Sequence, residues 1–170
     1  MLKICKFIII YLFLFFNLSA HSADLKVVYL NLDRIVKSTN SGNLILQKFD
    51  KQKKENVEKF KLKENELRDK EQDIIKKKNI LSEEEFESKV LALKKEMKKY
   101  NEERQNFFLE YEQNKKKKLN EFLVNITPII ETYVKENSIN IVLNEKNLFI
   151  ASRKFDITEQ IIKIIDKSIK

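Results

Sequence analysis

The chain has one glycine, one proline, one cysteine, one histidine and no tryptophan in 170 residues. So little Gly and Pro excludes a loop-rich globular fold and any Gly-rich cradle for a nucleotide phosphate. Cys5 and His21 both lie in the first 23 residues, so the remainder can form no disulfide. That remainder also lacks the thiol and imidazole groups most used in nucleophilic and acid–base catalysis. A metal site without His or Cys would need carboxylates clustered in a loop. The Asp and Glu residues are spread along helical stretches instead; Glu102-Glu103 is a typical surface pair. The reading is a protein that is not an enzyme and needs no cofactor.

What is present begins with a leader. Lys3 and Lys6 precede an unbroken apolar run over residues 7–16, and small residues follow up to Ala23. A positive start, a short apolar core and small residues at the cut are the order of a secretory signal peptide, and the core is short for a membrane span. Residues 1–23 are therefore expected to be removed, with cleavage after Ser22 or Ala23. The cut removes Lys3 and Lys6 and lowers the formal charge from +8 to +6. Export also argues against nucleic acid as a partner.

The middle of the chain is a heptad pattern that breaks once. Phe60, Leu67, Ile74 and Leu81 are each seven apart. After Ser82 the apolar positions resume in steps of four and three at Phe86, Val90, Leu93, Met97 and Tyr100. Phe107 and Tyr111 continue the row, with Arg104 at one seam position. Such a row is the a/d seam of a coiled coil. Residues 44–136 are thus expected to form an antiparallel helical hairpin with its tip near residues 80–82. Ser82 and Glu85 have the spacing of a capping box for the second helix. Pro128 predicts a kink or break near Asn125, since an interior proline loses a backbone bond.

The two ends differ from the middle. Residues 25–32 (LKVVYLNL) read as a strand, residues 33–37 as a short helix, and residues 38–43 as a break. Residues 139–143 (INIVL) and 148–151 (LFIA) read as a β-hairpin around a polar turn. Asp156 and Glu159 have capping-box spacing ahead of a closing helix that carries Ile157, Ile161, Ile162, Ile164 and Ile165. The fold class is mainly α with a small β body. Residues 24–43 and 137–170 form that body, and the long helical hairpin is inserted between them. Three strands make a small core with open edges, which self-association would cover.

Taken together, the leader, the segment KVVYLNLDRIV, the Lys- and Glu-rich hairpin, INIVLNEKNLFIAS and the closing FDITEQIIKII resemble the Skp/OmpH periplasmic chaperones. The most specific part is residues 139–165, especially Phe155-Asp156-Ile157-Thr158. The resemblance implies a homotrimer whose strands join in a β body and whose three arms enclose unfolded outer-membrane proteins in the periplasm, without ATP. Val28, Leu30, Ile141, Val142 and Ile150 are the expected residues of the trimer body. Leu62, Ile75, Leu91 and Phe108 lie off the heptad seam; they read either as a broader arm core or as the client contacts, weak and non-specific. The lysine runs, including Lys76-Lys77-Lys78 near the tip and residues 115–118 near the base, alternate with glutamates. They read as solvated helix faces that also permit contact with anionic lipid headgroups. The competing reading is a structural coiled-coil spacer or adaptor in the cell envelope.

Overall fold

A computed structural model describes residues 25–169; the expected signal peptide and its cleavage site lie outside them. Strand β1 (Val27–Leu30) leads into helix α1 (Leu32–Ser38), then the two long helices α2 (Asn40–Lys76) and α3 (Glu83–Glu136). Strand β2 (Ile141–Asn144), two single 3₁₀ turns (Glu145–Asn147 and Arg153–Phe155) and helix α4 (Thr158–Ser168) complete the order. The expected class, mainly α with a small β element at the two ends, is what the chain adopts.

The expected break at residues 38–43 shrinks to one residue. Thr39 closes α1 and opens α2: its hydroxyl donates to the Ile35 carbonyl (2.8 Å) and accepts from the Gly42 N–H (3.3 Å). A Cβ on Gly42 would sit 2.2 Å from the Val36 carbonyl oxygen, so the sole glycine lets the two helices meet this closely. Helix α2 has 37 residues and spans about 55 Å. The chain turns at residues 77–82, and Ser82 opens α3 with a complete capping box. The Ser82 hydroxyl accepts the Glu85 N–H at 3.3 Å, and the Glu85 carboxylate accepts the Ser82 N–H at 3.1 Å. The start of α3 is therefore determined by residues three positions apart.

Helix α3 has 54 residues and runs unbroken through Pro128, so the expected break is absent. The proline still forfeits its bond to the Val124 carbonyl. Val124, Asn125 and Pro128 are all exposed, so water can serve the freed oxygen, while Phe122 and Ile126 are buried on the opposite side. Packing of that side onto the body outweighs the local loss.

The strands depart from expectation more sharply. β1 and β2 pair in parallel, Val27 with Ile141 through Leu30 with Asn144. Residues 148–151 form no strand, so the expected β-hairpin is corrected to one strand followed by a 3₁₀ turn. Beyond the pair, an isolated bridge joins Tyr29 to Asp156, and the Ile157 N–H donates to the Tyr29 carbonyl at 3.0 Å. β1 is thus engaged on both sides, leaving the outer edge of β2 to whatever comes next. Ser138, at φ 52°, makes the left-handed turn from α3 into β2.

The capping box expected at Asp156 is also revised. Asp156 accepts the Thr158 N–H (2.9 Å) and the Thr158 hydroxyl. Glu159 does not fold back; it pairs with Arg34 of α1. The fully buried Thr158 hydroxyl in turn accepts the Asn31 N–H at 3.0 Å. This polar chain closes the N-terminal segment onto the C-terminal one.

Two cores result. The body core joins Val28 and Leu30 of β1, Ile35 of α1, Phe122 and Ile126 of α3, and Ile161, Ile162 and Ile165 of α4. The arm core is thin: Leu67, Leu93 and Tyr100, flanked by Phe60 and Ile74. Both long helices contribute to both cores: Ile45 of α2 packs against the body and Leu67 lies in the arm, while α3 gives Phe122 and Ile126 to the body and Leu93 and Tyr100 to the arm.

Candidate functional site: the outer surface of the arm and the open face of the body

The seam residues turn inward, and with them goes an aromatic ladder at the base of the arm. Phe49 meets Tyr111 edge-on at 5.7 Å, and Phe60 meets Phe107 at 5.5 Å and Tyr100 at 6.1 Å. The Tyr100 hydroxyl donates to the Phe60 carbonyl at 3.3 Å. Met97, a seam residue by spacing, is 40% exposed because a two-helix arm cannot wrap every seam position.

Of the off-seam residues, Leu62, Ile75 and Leu91 stand exposed, Leu91 at 71%. Phe108 is different: it is half-buried, with its ring 5.3 Å from Phe107 and 6.3 Å from Phe60. It is part of the ladder as much as of the surface. Leu44, Ile80, Leu109 and Val124 are also exposed and were not singled out by the pattern. Leu109 meets the same criterion, being apolar and off the seam. Leu62, Ile75, Leu91 and Leu109 are spread along both long helices, so they make scattered contacts rather than one pocket. Phe108 and Leu109, with Arg104 and Glu112, line only a shallow groove on α3.

In the body, Val28 and Leu30 are core residues of β1, and Val142 packs half-buried against them. Ile141 and Ile150 point elsewhere: Ile141 is exposed and Ile150 is 86% exposed. Phe149 beside it is 102% exposed. Ile141 and Leu143 are exposed as well, so the body carries uncovered apolar side chains both on β2 and on the segment that follows it.

Charges hold the arm helices together at one level. Lys70 of α2 reaches Glu96 of α3 at 2.7 Å and Glu66 at 3.0 Å, and Lys63 meets Glu66 at 2.9 Å. Hydrogen bonds from Lys63 and Lys70 hold the Glu66 carboxyl below its ordinary value of 4.5, and those from Glu96 and Glu66 raise Lys70 above 10.5. Ser82 lowers Glu85, and Lys118 lowers Glu121. For a carboxyl with a depressed folded value, the stabilisation is present above 4.5 and is lost as pH falls through the folded value. For Lys70 it is present below 10.5 and lost as pH rises further. Arm stability should therefore show a plateau between these limits and fall on acidification below pH 4.5. The helical circular-dichroism melt at pH 3.5 against pH 7 measures this. Because the groups are exposed the shift should be small, and smaller still in Glu66→Gln. An unchanged melting temperature between the two pH values would remove the carboxylates from the account.

Among the described residues no helix is long and apolar enough to cross a membrane, and no cluster of three or more His, Cys, Asp or Glu side chains is placed to hold a metal. The family model described as "Outer membrane protein (OmpH-like)" matches residues 26–165, nearly the whole of the described chain. The chain belongs to the OmpH-like family. A crystal structure of a candidate outer membrane chaperone (OmpH-like) from Caulobacter crescentus CB15 is similar to this OmpH-like chain, with a TM-score of 0.76. It is 16% identical, and the match covers 86% of each chain. At that identity the likeness is one of fold: a long helical hairpin on a small α/β base. No curated protein matches the chain.

Proposed function

We propose that this OmpH-like protein is a periplasmic, ATP-independent holdase that binds unfolded outer-membrane proteins between helical arms and prevents their aggregation. The observation that carries the reading is the set of apolar residues left on the outside of the arm, Leu62, Ile75 and Leu91 among them, in a chain of this family. Clients that differ in sequence are held by many weak contacts rather than by one pocket. Each exposed apolar side chain adds a small burial term on contact, and the arm lysines add a charge term toward acidic clients. Assembly as a homotrimer through the body is part of the same reading, supported by the exposed Phe149 and Ile150 and by the unpaired outer edge of β2. Anionic headgroups at a membrane surface are a further partner for the arm lysines.

The test is suppression of aggregation of an unfolded outer-membrane β-barrel protein, with ATP absent and salt varied. Replacing Leu62, Ile75 and Leu91 together by Ser should weaken protection several-fold and leave the circular-dichroism spectrum unchanged, since none of the three is in a core. Phe108 is left out of that set because its loss would loosen the aromatic ladder. High salt should weaken capture only in part, because screening leaves apolar burial intact. No protection at any salt concentration would leave the envelope spacer as the better reading.

A further inference from the structure

A cavity of about 540 Å³ lies where the arm meets the body. Its volume is within the range of small-molecule sites. Leu32 and Val36 of α1, Leu46 of α2, and Leu119 and Leu123 of α3 line it, and all five are half-buried. Leu46 and Leu119 belong to neither core cluster, and the part of their apolar surface that stays uncovered lines the cavity. The charges around this aliphatic lining are unequal: four lysines, Lys37, Lys115, Lys116 and Lys146, against Asp33 and Glu112. Lys146 is taken up by Asp33 at 2.8 Å. Lys37, Lys115 and Lys116 are in no ion pair among the described residues, and Lys115 rests over the Tyr111 ring at 5.8 Å.

We propose that this junction cavity binds a single acyl chain that ends in a carboxylate, with the hydrocarbon on the leucines and the anion at Lys115, Lys116 and Lys37. Three unpaired cations at the mouth of an aliphatic cavity favour an anionic amphiphile over a neutral one. A polypeptide segment suits the lining less well. Its N–H and C=O groups would leave water chiefly for the five aliphatic side chains, with Asn120 and Asn144 the neutral hydrogen-bonding side chains of the lining. An acyl chain has no such groups to desolvate. The site differs from the arm surface proposed for clients in both place and chemistry.

Dodecanoate, kept below its micelle concentration, is the probe, titrated calorimetrically into the purified protein at low salt. The expected result is saturable binding with one ligand per chain. The glyceryl monoester of the same acid, which lacks the charge, should bind roughly tenfold more weakly, as should dodecanoate to Lys115→Gln/Lys116→Gln. Both lysines are surface residues outside the cores, so this variant should keep its fold by circular dichroism. Leu119→Asp should weaken binding further by placing a carboxylate beside the acyl chain. Non-saturable uptake, equal binding of acid and monoester, or an unaltered affinity in the lysine variant would overturn the proposal. So would displacement of dodecanoate by an acidic, leucine-containing peptide of higher affinity, which would make the cavity a client site.

Discussion

Ile161→Ala should destabilise the body by about 2–5 kcal/mol, among the largest losses expected from truncating one side chain here. Ile161 is fully buried on α4, and its core cluster draws side chains from β1, α1 and α3 as well. Truncation leaves a cavity between elements that are already held by other contacts, so collapse around it is limited. The same change at Leu91, which touches neither core, should stay within about 0.5 kcal/mol. Urea unfolding of both variants at one fixed protein concentration measures the contrast, because assembly makes apparent stability concentration-dependent. A loss under about 1 kcal/mol for Ile161→Ala would mean that the body core is not packed as described.

Phe149→Ser/Ile150→Ser should convert the proposed trimer to monomer without unfolding the chain. Neither side chain touches the core of its own subunit, so neither contributes to the fold of the monomer. Both are exposed in the segment that follows β2, a strand whose outer edge is unpaired within the chain, and in the proposed trimer a neighbouring subunit would cover them. Burying two large apolar side chains per subunit at each contact is worth several kcal/mol, enough to move the equilibrium by orders of magnitude. Light scattering at micromolar concentration reads the mass, and circular dichroism reads the fold. A parent protein that is already monomeric, or a double variant that keeps the trimer mass, would exclude this face as the interface. Client protection by the monomeric variant separates the contribution of single arms from that of an enclosed cavity.

Features that depend on near neighbours are legible in the order of residues. The heptad spacing placed Leu67, Leu93 and Tyr100 inside the arm, because helical periodicity is set over a few residues. The start of α3 was legible in Ser82 and Glu85, whose reciprocal bonds span three positions. Spacing alone left Leu62, Ile75 and Leu91 open between a broader arm core and a surface; the folded arm leaves them exposed. Tertiary structure alone decided the rest. Residues 148–151 have the composition of a strand, yet a strand needs a partner for its backbone groups, and within one chain β2 pairs with β1, more than a hundred residues away, instead. Asp156 has the spacing of a cap, but Arg34 from α1 draws Glu159 away from it. Phe108 is off the seam, yet Phe60 on the facing helix draws it half under cover. Pro128 carries a local penalty, and α3 continues through it because Phe122 and Ile126 are anchored in the body core. In each case the deciding contact comes from a segment distant in sequence, whose proximity no local pattern encodes.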